Sequence, residues 1–535
     1  MAASLETLLL LVAVLAAVAL LARRLNTAPS ILLVVAGVGL ALVPNLPPLQ
    51  LAPDLVLLGI LPPLIYSAGV AMSWREFRFN LRPITLLAFG CVIFTTCAVA
   101  AAVHYVLGLP WGIGFVLGAI VAPPDVVAPL ALARRLGLPR RILVILEGEG
   151  LANDATALIL YRFAVAAVST GLFSFGEAIG EFALIVVCEI AFGIAIGWLS
   201  LRLRHWAHDP RVEITLSLLT PYIAFWTPEH LGGSGVLATV AAGLYVSWNG
   251  PQLISAATRL QGIFFWNFFI YLLEGLVFLV TGLQARLIYE RASNFPLQDI
   301  IVATLLTTAI IIVARFVWVF PATYLPRWLI PAVARRDPSP SWQTPFILGF
   351  IGVRGVVSLA AALAIPFTVT SGAPFPHRDL ILLITFGVII LTLVGQGLAL
   401  PPVIRWLRLG DNAAKEHREE HQAELTARHA AIQAAHHRLV ELAKERQLPE
   451  QVFGLLRARH EVRAGLAPRD LSEGKEAVTL SAELRVELIA TERAALHELY
   501  RKGEITDESR RRLERELDLE EESIACRKDA TEAPL

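Results

Sequence analysis

Gly118-Ala119-Ile120-Val121-Ala122-Pro123-Pro124-Asp125-Val126-Val127-Ala128-Pro129 is an apolar run interrupted at its centre by two prolines and a carboxylate. The run extends over 111–133, long enough for a bilayer core about 30 Å thick, which takes roughly 20 residues of helix. Proline has no N–H to donate and clashes with the preceding turn. At membrane depth, freed backbone groups are tolerated only where protein or a water-filled cavity meets them. The stretch therefore predicts a broken membrane helix, and the rest of the chain has to supply its partners.

A second run, 345–367, is broken at Gly352-Val353-Arg354-Gly355. Around these two lie further apolar runs at 5–22, 30–46, 53–71, 83–107, 142–168, 177–200, 212–227, 234–248, 263–284, 299–320 and 380–402, giving thirteen spans in all. The whole chain of 535 residues is 56% hydrophobic and only 17% charged, where soluble proteins carry about 25%. Residues 1–410 contain no lysine, whereas 411–535 are rich in Glu, Arg, Ala, Leu and His. This predicts an all-α polytopic membrane domain over 1–410 and a helical, candidate regulatory tail over 411–535. Leu5 to Ala22 lacks a basic flank before it and a small-residue cleavage site after it, so it reads as a retained first span.

The inter-span segments alternate in charge. One set carries Arg23 and Arg24; Arg75, Arg78 and Arg82; Arg134, Arg135, Arg140 and Arg141; Arg202, Arg204 and Arg211; Arg259; Arg327, Arg335 and Arg336; and Arg405 and Arg408. The other carries only Arg286, Arg291 and Arg378. The positive-inside rule places the rich set in the cytoplasm, the N-terminus outside and the tail inside a bacterial inner membrane. If the seventh span is a linker, the two broken spans are each fifth in a set of six, and the halves are inverted repeats. Paired interruptions of this kind mark a transporter's midplane site.

Charges inside a bilayer are costly and need a reason. The richest group is Leu146-Glu147-Gly148-Glu149-Gly150-Leu151-Ala152-Asn153-Asp154-Ala155 in the sixth span. Glu149 and Asn153 are four apart and share a helix face. A carboxylate is a hard oxygen ligand suited to Na⁺ and also a proton acceptor. Removal from water favours its neutral form, so one site can hold H⁺ or a cation in turn. Arginine does not deprotonate, so Arg354 is read as a structural counterion for Glu149, leaving Asp154 uncompensated. Asn153 offers a carbonyl oxygen or holds its neighbours in place. Asp125 either caps a half-helix or lines the ion path. Glu147, Glu274 and Arg315 are secondary candidates, the last two pairing with each other or facing a cavity.

Other residues carry less. Cys91, Cys97 and Cys188 sit in apolar runs and read as small buried hydrophobes, and with Cys526 they form no disulfide or metal spacing. In the tail, His417 and His421 are four apart, but a solvated helix face accounts for them. Tail breaks are expected at Pro449, near Pro468 and at Gly503. The tail has no nucleotide-binding glycine loop, and neither a cofactor nor a nucleic-acid partner is expected.

The 146–155 stretch resembles the Glu-Ser-x-x-Asn-Asp signature of the sodium/proton exchangers of the cation:proton antiporter-1 family. So, in order, do Gly118-Ala119-Ile120 leading to Asp125-Val126-Val127-Ala128; Ser234-Gly235-Val236-Leu237-Ala238; Gly282-Leu283-Gln284; Arg315-Phe316-Val317-Trp318; Gly355-Val356-Val357-Ser358-Leu359-Ala360 after Arg354; and Gln396-Gly397. The tail also resembles the bacterial branch, in Gly503-Glu504-Ile505 and Glu516-Leu517-Asp518-Leu519-Glu520. The resemblance implies a thirteen-helix inverted-repeat fold, a homodimer and an elevator-like movement. It implies Na⁺ and H⁺ binding at Asp154, a Glu149–Arg354 ion pair, and electroneutral exchange because Asn153 stands where an electrogenic branch has Asp. Gly150 and Pro124 depart from the pattern, each removing a hydroxyl. The protein is then a transporter, not an enzyme. The alternatives are a K⁺/H⁺ or Li⁺-selective antiporter, a passive channel, and a membrane receptor, which the tail's lack of an output motif disfavours.

Overall fold

The computed structural model describes all residues except 1, 26, 44–50, 172–173, 293–294, 466–474, 503 and 533–535. Within helices, the side chains of 2–5, 8, 410–417, 420–421, 460, 462–465, 475–479, 481–482 and 525–532 are likewise undescribed. The described residues are helical almost throughout, with no β-strand. Two compact units divide at Met1–Gly410 and Asp411–Leu535.

In the first unit, six helices among the described residues are long and apolar enough to cross a membrane: Leu81–Leu107, Arg140–Thr170, Phe175–Ala207, Ala256–Ala292, Leu297–Leu329 and Arg378–Leu407. Pro29–Ala41, Leu55–Ala71 and Trp111–Val121 are shorter apolar helices. Their outward faces are apolar, as Leu184, Val187, Phe264 and Val313 show. Large apolar side chains exposed in such number have no reason to face water, and a lipid phase satisfies them. Cys97 and Cys188 lie on such exposed faces, and of these three only Cys91 is buried. The expectation of three buried thiols is thus corrected: an apolar run in a membrane helix has an outer side as well as a core side.

Both expected breaks are present. Trp111–Val121 ends before Pro123-Pro124, and Val127–Arg135 resumes the chain. Gln343–Phe350 ends before Gly352, and Val356–Leu363 resumes it. Between the half-helices the backbone is irregular, and several of its polar groups find partners inside the protein. The Asp125 N–H donates to the Val353 carbonyl at 2.7 Å, joining the two breaks. The Arg354 N–H donates to Thr392 Oγ1 at 3.0 Å. Arg378 donates from Nε to the Ile365 carbonyl at 2.9 Å and from Nη2 to the Leu363 carbonyl at 3.1 Å. Its charge therefore sits where the Val356–Leu363 helix leaves unpaired carbonyls.

The second unit holds four helices among the described residues: Gly410–Glu445, Glu450–Gly465, Lys475–Arg501 and Asp507–Glu532. The expected break at Pro449 falls between the first two. Pro468 and Gly503 lie outside the described residues, as do the side chains of His417, His421 and Cys526. Leu425, Ile432 and Leu439 recur every seven residues and are buried, a spacing that keeps one helix stripe facing a partner. Lys475–Arg501 and Asp507–Glu532 pair, with Arg485 on Glu520 at 2.7 Å and Arg493 on Asp518 at 2.6 Å.

Candidate ion-binding site

Arg140–Thr170 carries the 146–155 stretch past the first break. Asn153 is wholly buried, and its Nδ2 donates to the Pro124 carbonyl at 2.7 Å. A carbonyl can only accept, so this contact fixes the amide's orientation. The hydrogen bond holds the break in place, and the buried Oδ1 has no partner, so the carbonyl oxygen stays free for the other role. The site of the missing hydroxyl at Pro124 has become a backbone anchor.

One residue on, Asp154 lines a cavity of about 360 Å³. Asp125, Glu147 and Glu274 line the same cavity, as do Arg134 and Ser358. Asp125 also caps the half-helix that follows it, Oδ1 accepting from the Val127 N–H at 2.9 Å. One carboxylate therefore caps the half-helix and lines the cavity, with one oxygen engaged by backbone. Arg134 forms an ion pair with Glu147 at the wall. Among the described residues, the carboxylates of Asp154 and Glu274 have neither an ion pair nor a hydrogen bond.

Two glycines set the shape of this region. A Cβ on Gly355 would run into the Asp125 side chain, so glycine lets the second break come against the first. A Cβ on Gly150 would run into the Val126 side chain. With Val126 in this place, the hydroxyl lost at Gly150 could not simply be restored.

The ion pair read from the sequence is corrected. Glu149 is fully buried and pairs with Arg315, not Arg354: Nη1 lies 2.5 Å from Oε1 and Nη2 2.8 Å from Oε2. Arg315 also donates from Nε to the Leu348 carbonyl at 3.0 Å, at the end of the Gln343–Phe350 half-helix. The two-pronged guanidinium takes both carboxylate oxygens. The buried Arg354 has Nε and Nη1 without a partner. Arg315 is likewise not paired with Glu274, which faces the cavity instead. Thr392, which anchors the Arg354 backbone, gave no signal in the sequence, because a threonine in an apolar run is ordinary. Ser358 was legible only as part of the second broken segment.

Apolar outer faces, two helix breaks joined by a backbone hydrogen bond and a carboxylate-lined cavity beside them define a membrane transporter. The pattern of the transmembrane sodium/hydrogen exchanger family matches residues 10–406. An uncharacterised Na⁺/H⁺ exchanger of Mycobacterium tuberculosis is 34% identical, covering 98% of this chain and 97% of its own. A sodium, potassium, lithium and rubidium/H⁺ antiporter of Bacillus pumilus is 34% identical over 68% of this chain and 56% of its own length. The solved structure of a sodium proton antiporter from Methanocaldococcus jannaschii superposes with a TM-score of 0.56 at 18% identity, covering 76% of this chain and 98% of that one. The chain belongs to the sodium/hydrogen exchanger family, the cation:proton antiporters whose members are transporters rather than enzymes.

Proposed function

We propose that the protein exchanges Na⁺ for H⁺, one for one, at Asp154. The observation that carries this reading is a carboxylate without a fixed counterion on the wall of an acidic cavity, beside two broken helices. A bound proton and a bound Na⁺ each neutralise the same oxygens, so they exclude each other. Alternating access to the two sides then couples their movements in opposite directions. Asp125 supplies a second oxygen-bearing wall, Ser358 a hydroxyl in place of those missing at Pro124 and Gly150, and Asn153 holds the break in position. Glu149 with Arg315 is the structural ion pair, while Arg354 is a fixed positive charge beside it. Asn153 contributes no charge, which favours electroneutral exchange.

The reading extends to thirteen spans with two inverted six-helix repeats in residues 1–410, an elevator-like movement and a homodimer in the lipid bilayer. The arginine distribution favours a bacterial inner membrane with the N-terminus outside. Residues 411–535 are then a cytoplasmic regulatory tail. A second reading, K⁺/H⁺ exchange, draws on the Bacillus relative whose name includes potassium, lithium and rubidium.

Proteoliposomes containing a pH-sensitive dye test both. A Na⁺ gradient should drive proton movement that Asp154→Asn abolishes while the protein remains folded. A response to K⁺ but not to Na⁺ selects the second reading. Cation leak without proton movement would make the protein a channel.

A further inference from the structure

Asp154, Leu158 and Arg162 follow one another at intervals of four on the Arg140–Thr170 helix, so they share one face. Glu147 stands at the other end of this stretch, about 22 Å of helix from Arg162, with Asp154 near the middle. The cavity takes up only the Glu147 half. Glu147, Gly150, Leu151 and Asp154 line it, whereas Leu158 and Arg162 do not. Leu158 is buried in one apolar cluster with Phe225, Val236 and Leu237. Arg162 closes the end beyond it. Its guanidinium donates to the Glu229 carboxylate, in the last turn of Pro210–His230, and to the Gly233 carbonyl, in the loop before Val236–Leu253.

The receiving loop is itself fixed. The buried Glu189, on Phe175–Ala207, accepts from the Gly235 and Leu237 N–H groups at 3.0 and 3.1 Å, and from the Ser234 hydroxyl and N–H. A carboxylate is favoured at a helix N-terminus. Gly193 and Gly197 bring the same helix against the backbone of Ala238 and Ala242, the close approach that small residues allow. Arg162 thus reaches from the helix of Asp154 to a separately braced body. As structure the Arg162–Glu229 pair is worth little, because its side chains are 33% and 24% exposed. Between two bodies that move apart, even a small energy shifts which face is open. We infer that Arg162, Glu229 and the Gly233 carbonyl form a latch. It holds shut the face of Asp154 turned away from the cavity, and it releases when that face opens. This rests on the proposed alternating access at Asp154.

The test reads opening directly, in detergent-purified protein with the four native cysteines changed to alanine. Leu158→Cys reports the shut face and Ser67→Cys, on the cavity wall, the open one, each through its rate of reaction with a water-soluble thiol reagent. Arg162→Gln and Glu229→Gln should each speed labelling at 158 by roughly twofold to fivefold, with labelling at 67 no faster. The double variant should label position 158 no faster than Arg162→Gln alone, because both changes break one contact. Unchanged labelling at 158 in both single variants would overturn the latch. Faster labelling at both positions would make the pair a general brace, and multiplied effects in the double variant would show two unrelated contacts. The Asp154 reading fails separately, if Asp154→Asn still exchanges in proteoliposomes, a measurement that the labelling does not involve.

Discussion

Arg315 holds both oxygens of Glu149, at 2.5 and 2.8 Å, in a place where neither side chain reaches solvent. The same guanidinium holds the Leu348 carbonyl. Three elements therefore meet on one cation: the Arg140–Thr170 helix that carries Asp154, the Leu297–Leu329 helix, and the end of a half-helix. The pair is a structural joint placed five residues from Asp154, so its loss should act on the fold before it acts on the ion.

Arg315→Met should lower the thermal unfolding temperature in detergent, with a cost of about 3–5 kcal/mol, because it leaves the Glu149 carboxylate buried and unpaired. Arg354→Met removes a cation that has no carboxylate of its own, and should cost clearly less. The reverse order in a fluorescence melt of the two purified variants would mean that Glu149 depends on Arg354 after all.

The proposed competition at Asp154 gives the pH dependence a definite sign. Acidification fills the carboxylate with protons, so the half-saturating Na⁺ concentration should rise by about tenfold per pH unit in the acid range, as mass action at one shared site requires. Excess Na⁺ should restore the maximal rate. An acid-side loss that saturating Na⁺ leaves in place would show that a different group limits exchange.

Gly355→Ala puts a methyl group where the Asp125 side chain lies. Overpacking of this kind costs about 1–3 kcal/mol, and here the displaced group lines the cavity. Exchange should fall sharply while the protein still folds. Near-normal transport by this variant would show that the contact between the breaks is looser than its geometry implies.

Deleting 411–535 should leave a protein that still exchanges cations but with a shifted pH profile, as the proposed regulatory role of the tail requires. An unchanged profile in the dye assay removes the regulatory role. By contrast, single changes such as Arg485→Ala in the exposed pairing with Glu520 should leave the melting temperature close to that of the wild type.

Much of the site was legible in residue types. Pro123-Pro124 and Gly352 announced the breaks because proline and glycine act on the local backbone, whatever surrounds them. Asp154, Asp125 and Glu274 stood out because ionised groups in apolar runs are costly. Partner choice was not legible. Arg315 and Arg354 are both arginines in apolar runs, and nothing along the chain tells which one approaches Glu149. The role of Thr392 was likewise hidden, since its hydroxyl matters only because an unpaired N–H comes within reach of it.

Residue order alone specified an α-helical membrane chain with two interrupted helices and a few intramembrane charges, because hydropathy, proline geometry and the cost of burying charge are local properties. Packing alone set Arg315 rather than Arg354 against Glu149, tied the Asn153 amide nitrogen to the Pro124 carbonyl while leaving its Oδ1 without a partner, and brought Asp125, Asp154 and Glu274 to one cavity. Pairing depends on distance and direction between segments far apart in the chain, and these are fixed only when the helices pack.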